Sequence, residues 1–166
     1  MSSAHPHAMA LSKRLLLACL CALAIQPVLF AGWVGLLYLW VGEKVPLAEL
    51  LMLSLIILFI AGAHLLFLGL PTFWALHRTA RLTRLNMALA GFFIGSLGAA
   101  LLLWPVNQDG GSFSATWHGE FREFTVNGRP TLAAWLLYLE SVSLYGTHGL
   151  VGALVFDYVW RRRETT

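Results

Sequence analysis

Charge is what this sequence has least of. Only 11% of its 166 residues are Asp, Glu, Lys or Arg, while 58% are hydrophobic, and its mean hydropathy is +0.73. A soluble domain carries about 25% charged residues, so this composition excludes an ordinary soluble globular domain and points to a polytopic membrane protein. Cysteine is nearly absent as well. Cys19 and Cys21 form a C-x-C inside an apolar stretch; alternate residues of a helix face different sides, so neither a disulfide nor a zinc site follows. No catalytic signature occurs anywhere in the chain. The formal charge of +3 collects at the ends of apolar runs rather than in a patch interleaved with exposed aromatics, which argues against a nucleic-acid partner.

Apolar length is what the chain has in quantity. Four stretches reach the roughly 20 residues that a helix needs to cross a bilayer core about 30 Å thick: residues 15–41, 46–70, 85–104 and 131–160. Residues 1–12 lack periodicity and read as a mobile tail. The first stretch begins like a signal peptide, with Lys13 and Arg14, an apolar run, Ala22-x-Ala24 and an LLAC box ending at Cys19. Its hydrophobicity continues well past either candidate cut, so it is expected to be an uncleaved first span, with Pro27 able to kink it.

Between the spans, the turn at 41–46 is short. Residues 71–84 carry Arg78, Arg81 and Arg84 and read as a basic cytoplasmic loop; residues 161–166 form a cytoplasmic tail opened by Arg161, Arg162 and Arg163. Residues 105–130 are the one sizeable polar segment. There FSATW and EFREFTV alternate apolar and polar residues ahead of an Asn127-Gly128 turn signal, which predicts a small external cap built on a β-hairpin. His118, Glu120 and Glu123 lie in it, but alternation sets Glu123 opposite the other two, so a solvated strand face is expected rather than a metal site. The expected fold is therefore all-α: an antiparallel bundle of four transmembrane helices with both termini inside and an external cap between helices 3 and 4. Charge supports that orientation. Eight of the 11 basic residues fall on the inner side, with only Lys44, Arg122 and Arg129 outside, and six of the eight acids fall outside; cytoplasmic segments hold the excess of Lys and Arg. The localisation implied is a bacterial-type inner membrane.

Polar residues inside the spans need a reason, because an unpaired polar ring in hydrocarbon costs several kcal/mol. His64 and His148 qualify. Each follows a proline, Pro46 or Pro130, by 18 residues and a glycine, Gly62 or Gly146, by two, so two parallel spans hold a histidine at nearly equal depth, in what reads as a weak internal repeat. Three uses compete. Each ring can simply bond a neighbouring helix through Gln26, Ser54, Ser96, Ser143 or Thr147. The two can face each other as axial ligands of a b-type haem or bind a metal, with Gly62 and Gly146 leaving room for a macrocycle. Or His64, His148 and Asp157 can line a proton or solute path, although Asp157 has its own i,i+4 partner in Arg161.

Small residues recur at the spacing that lets membrane helices approach closely: Gly91-x-x-x-Gly95 with Gly98 on nearly the same face, Gly149-x-x-x-Ala153 with Gly152 beside it, and Ala31-x-x-x-Gly35. Four helices can use only some such faces internally. The leading functional expectation is a non-enzymatic membrane protein that lies in the lipid bilayer and binds another membrane protein or itself, as a complex subunit, assembly factor or immunity-type partner does. The alternatives are haem b or metal binding for electron transfer at His64 and His148, and a small oligomeric transporter or channel.

Overall fold

In the computed structural model, residues 5–42, 46–107 and 109–162 are described. The expectations for residues 1–4, for the loop around Lys44 and for the tail from Arg163 onward fall outside them. The described residues form five α-helices and three short strands: α1 (His5–Val41), α2 (Leu47–His64), α3 (Leu70–Arg78), α4 (Arg84–Leu102), β1 (Phe113–Trp117), β2 (Glu120–Val126), β3 (Arg129–Pro130) and α5 (Leu132–Arg162). Among the described residues three helical stretches are long and apolar enough to cross a membrane: Ser12–Trp40, Leu47–Arg78 and Arg84–Leu102. Helix α5 is as long but more polar, since Glu140, Ser141, Ser143, Thr147, His148 and Asp157 interrupt it.

Two boundaries differ from expectation. Residues 5–12 are helical rather than a tail, continuous with α1. Residues 71–78 belong to helix α3 instead of a basic loop, which shrinks to 79–83. The second helix passes its expected end through a π-helical turn, Leu65–Gly69, closed by a bond from the Leu70 N–H to the Leu65 carbonyl. Pro71 supplies the reason. It has no N–H to give, and in a regular helix its ring would strike the carbonyl four residues back; widening the turn before it lets the helix run on. After Arg78, Ala80 at φ 55° reverses the chain. Thr83 then caps α4 by accepting the Asn86 N–H at 3.1 Å.

Packing is tightest at the end that carries the arginines, where Ala18, Ala22, Phe73, Met87, Phe156 and Trp160 form the core. Phe73 meets the rings of Phe156 and Trp160 edge-on, each at 5.0 Å. Helices α4 and α5 lie backbone to backbone along the small-residue seam. A Cβ added at Gly91 would stand 2.5 Å from Ala153 Cβ and from the Gly149 carbonyl oxygen; one at Gly95 would stand 2.5 Å from the Tyr145 carbonyl oxygen; one at Gly149 would collide with the Gly91 carbonyl oxygen. This seam is therefore used within the chain. Helix α1 covers another side of α5 and also carries α2. Helix α2 buries none of its own residues, and its body packs extensively on neither α4 nor α5, so the bundle is open between them.

At the other end, β1, β2 and β3 form one antiparallel sheet in that order. Two-residue turns join them, His118-Gly119 with φ of 50° and 81° and Asn127-Gly128 with φ of 49° and 76°, the positive pairs that match strand twist. The expected hairpin is thus present with a third, two-residue strand added. Thr131 ties the sheet to α5 by donating its hydroxyl to the Glu123 carbonyl at 2.6 Å. Glu140, on the third turn of α5, holds the first hairpin from below: its Oε2 accepts from Trp117 Nε1 at 2.9 Å and lies 3.1 Å from His118 Nε2.

Candidate intramembrane ligand cavity

A cavity of about 890 Å³ occupies the space left between α2 and the α1–α5–α4 layer. Its walls are almost wholly apolar, with Phe30, Ile57, Ile60, Ile94, Leu144 and Phe156 among them; Gln26, His64, Thr72, Tyr145 and His148 are its polar members. The volume falls within the 300–1,000 Å³ usual for small-molecule sites, where a few placed polar groups sit in apolar walls. Both histidines singled out from the sequence line it.

Each histidine is oriented by its ring nitrogen nearer the backbone. His64, the last residue of α2, places Nδ1 2.9 Å from the carbonyl of Ile60. A carbonyl only accepts, so Nδ1 donates and, in the neutral ring, Nε2 is bare. That Nε2 lies 3.8 Å from where a Cβ on Gly98 would be, which places the ring across from α4. His148 is held by Gln26 of α1. Two carbonyls fix which way the Gln26 amide points, since Nε2 lies 3.3 Å from the Ala22 oxygen and 3.2 Å from the His148 oxygen; the reverse orientation would set three oxygens against one another. Gln26 Oε1 therefore faces His148 Nδ1 at 3.2 Å. Nδ1 must donate, and Nε2 is again the bare nitrogen. Gly152 is part of this arrangement, because a Cβ there would stand 2.6 Å from Gln26 Nε2.

The two rings come from helices facing each other across the cavity. His64 reaches Gly98 of α4, whereas Gly149, next to His148, packs on Gly91 and Gly95.

The glycines expected to leave space for a macrocycle are not among the residues that line the cavity. Gly62 has nothing within 4 Å of its Cβ position, and at Gly146 that position stands 2.5 Å from Phe92 Cε2, so neither opens the cavity. Glycines that do line it are Gly69, Gly91, Gly95, Gly98, Gly149 and Gly152. Asp157 is not brought to the histidines. Buried to 2% exposure, it receives Arg161 Nε on both oxygens at 2.8 and 2.9 Å, with Arg84 Nε 4.0 Å away; Arg161 also donates to the Leu82 carbonyl at 2.6 Å. In the cap, Glu120 pairs with Arg122 and His118 with Glu140. Among the described residues no three His, Cys, Asp or Glu side chains group as a metal site.

Gln26 was legible as one of several candidate partners in the apolar spans. The cavity itself was not, since no pattern in the sequence says that α2 stands off from α4 and α5; the one signal at its floor is Pro71, which marks the widened turn directly after His64. Comparison of the chain with protein-family models, with curated proteins and with solved structures gave no match.

Proposed function

We propose that this is a non-enzymatic integral membrane protein of four spans that binds a lipid-soluble ligand inside its bundle. The fourth span is α5, whose polar residues are accommodated because it lies against both α4 and α1 and pairs His148 with Gln26. By the distribution of basic residues, the arginine-bearing end and both termini lie in the cytoplasm and the sheet lies outside, in a bacterial-type inner membrane. The observation that carries the reading is a cavity of about 890 Å³, apolar but for a handful of polar side chains, with two oriented imidazoles in its lining. The opening between α2 and α4 gives an acyl-phase molecule a path from the side.

Gly98→Leu tests this. Beyond its Cβ position the nearest group is His64 Nε2 at 3.8 Å, so the leucine extends into the cavity without striking backbone. Wild-type protein purified in mild detergent is expected to retain an extractable small molecule that mass spectrometry identifies, and the variant to lose it with helix content unchanged. Equal retention by both proteins, or none by the wild type, removes the reading.

A second reading rests on α2, which buries no residue, and on Gly32 and Gly35 of α1, whose Cβ positions meet nothing within 4 Å. These support docking of another membrane protein or a second copy of this chain, as a complex subunit, assembly factor or immunity-type partner would do. Cross-linking from cysteines introduced at Leu55 or Phe59 in native membranes tests it: a single uncross-linked species at both positions rejects it.

A further inference from the structure

Resting on the cavity reading just given, we infer that the bound molecule is an uncharged lipid with a free hydroxyl, which donates a hydrogen bond to Nε2 of His64. The fold leaves that nitrogen as an unused acceptor. Nδ1 of His64 donates to the Ile60 carbonyl at 2.9 Å, so in the neutral ring the lone pair is on Nε2, and no donor among the described residues reaches it. Its place is fixed from the opposite wall as well. Apart from α4's own backbone, His64 Nε2 at 3.8 Å is the one atom within 4 Å of where a Cβ on Gly98 would stand. Glycine therefore leaves the edge of the ring uncovered where a long side chain would close over it. Both residues line the cavity, so the bare nitrogen borders the space that the ligand fills.

The rest of the lining limits what the ligand can carry. None of the described residues around the cavity is Asp, Glu, Lys or Arg, so a carboxylate, phosphate or ammonium head would lie in an apolar space with no counter-charge, which buried ions require. A head that only accepts, such as a ketone, ester or ether, would leave the imidazole nitrogen unpaired, and an unmet polar atom in such a setting is costly. A hydroxyl meets both conditions, being neutral and a donor. The extent of the space describes the remainder of the molecule. Met87 and Leu102, both in the wall, stand about 22 Å apart along α4 at 1.5 Å of rise per residue, which is most of a hydrocarbon core about 30 Å deep. An extended apolar chain fits a slot of that length. Gly98 is nearer its sheet end, so the hydroxyl is held there and the chain runs past Ile94 towards Phe73 and Phe156. Two neutral heads share this chemistry, an aliphatic alcohol and the phenol of a hydroquinone.

The full chain in mild detergent is equilibrated, without oxygen, with farnesol, farnesyl methyl ether, decylhydroquinone, decylbenzoquinone or palmitate, and the ligand it holds is measured against empty micelles. Wild type is expected to bind farnesol about tenfold more tightly than its ether, or the hydroquinone about tenfold more tightly than the quinone, a factor that one hydrogen bond supplies, and to bind palmitate least. The pair with the larger factor tells whether the head is an alcohol or a phenol. His64→Leu should bring that factor near one while still holding the ether or the quinone; binding of the donor-free probe reports an intact cavity, and the comparison removes any difference in partition between probes. His64→Gln, which puts back an acceptor, should recover part of the factor, and His118→Ala in the cap should keep all of it. Equal binding of each donor and its donor-free partner by wild type, a factor that survives His64→Leu, or palmitate bound best overturns the inference. If wild type then still yields an extractable molecule that Gly98→Leu lacks, the cavity reading stands; if it holds no probe and yields no molecule, both fall.

Discussion

Gln26 and His148 clasp each other twice, the Gln26 Nε2 donating to the His148 carbonyl and the His148 Nδ1 donating to Gln26 Oε1, both at 3.2 Å. The pair joins α1 to α5 at mid-bundle, and it converts a polar ring that an apolar environment would penalise into a fixed, directional group. Gln26 is only 7% exposed, so water does not readily replace either bond.

Gln26→Met therefore keeps most of the volume and leaves His148 Nδ1 without its acceptor. An orphaned buried donor costs about 1–3 kcal/mol, although polar pairs between membrane helices average nearer 0.6 kcal/mol. A loss of about 1 kcal/mol in detergent unfolding is expected, and Gly152→Ala should act in the same direction because its Cβ displaces the amide. Unchanged stability in both variants would mean that the clasp is not made.

The α4–α5 seam gives a sharper contrast. Gly149→Ala sets a methyl group against the Gly91 carbonyl, and Gly95→Ala sets one 2.5 Å from the Tyr145 carbonyl; neither obstacle is a side chain able to rotate away. Overpacking costs about 1–3 kcal/mol, and backbone that must separate along the seam puts these variants at the upper end. Gly62→Ala meets nothing within 4 Å and gains about 1 kcal/mol of helix propensity. Thermal unfolding should rank Gly62→Ala at or above wild type and the two seam variants well below it.

Why parts of this fold were legible follows from how local each determinant is. The turns at His118-Gly119 and Asn127-Gly128 are set by residues that tolerate positive φ, so the hairpin could be read off the chain. Helix limits at 84–102 and 132–162, expected at 85–104 and 131–160, follow from where arginine, tryptophan and proline interrupt hydrophobic length. The helical course of residues 71–78 could not be read so directly, because basic residues at the end of a span look alike whether they lie in a loop or in an extra helical turn. Small-residue spacing announced that some helices touch, yet carries no record of which; that Gly91, Gly95 and Gly149 are spent on each other, leaving Gly32 and Gly35 bare, is a property of the tertiary arrangement. His64 and His148 were found because an imidazole in an apolar span is costly wherever it points. Their tautomers depend on Ile60 and Gln26, which only the folded chain brings into place.

At the arginine-bearing end, Asp157 and Arg161 share two hydrogen bonds, with the carboxylate at 2% exposure and the arginine at 37%. Removing the cation strands a buried carboxylate, whereas Asp157→Asn leaves a neutral group that still bonds. Breaking a fully buried pair costs about 3–5 kcal/mol; partial exposure of Arg161 and the nearness of Arg84 reduce that figure here. Arg161→Ala is accordingly expected to be more destabilising than Asp157→Asn, and the double variant less so than Arg161→Ala alone. A double-mutant cycle in detergent checks the order, and additivity of the two changes would show that the residues do not interact.

Glu140 fixes the cap through Trp117 and His118. In Glu140→Ala the indole loses its acceptor and the first hairpin loses its tether to α5, while Thr131 still binds the base of the second. Hydrogen exchange should accelerate in 113–121 and change little in 124–131, with the helices unaffected. Unchanged exchange in 113–121 would instead assign the anchoring to Thr131 alone.

Pro71 links backbone chemistry to the cavity. The π turn begins at Leu65, one residue after His64, and ends two residues before the proline, so the widened turn sets how the end of α2 is rotated relative to α3. Pro71→Ala restores an N–H and removes the clash that the widening relieves. Propensity then favours a regular α-helix through this stretch, since proline is about 3 kcal/mol worse than alanine in a helix interior. Loss of the one extra residue from the turn rotates everything before it by about 100° relative to α3, one residue's share of a 3.6-residue turn, and turns His64 away from Gly98. The expected outcome is a protein at least as stable as the wild type that binds its cavity ligand markedly less well, a separation of stability from binding that a purely structural proline would not produce. Parallel measurement of unfolding temperature and ligand occupancy decides it: equal occupancy would show that the π turn does not aim His64.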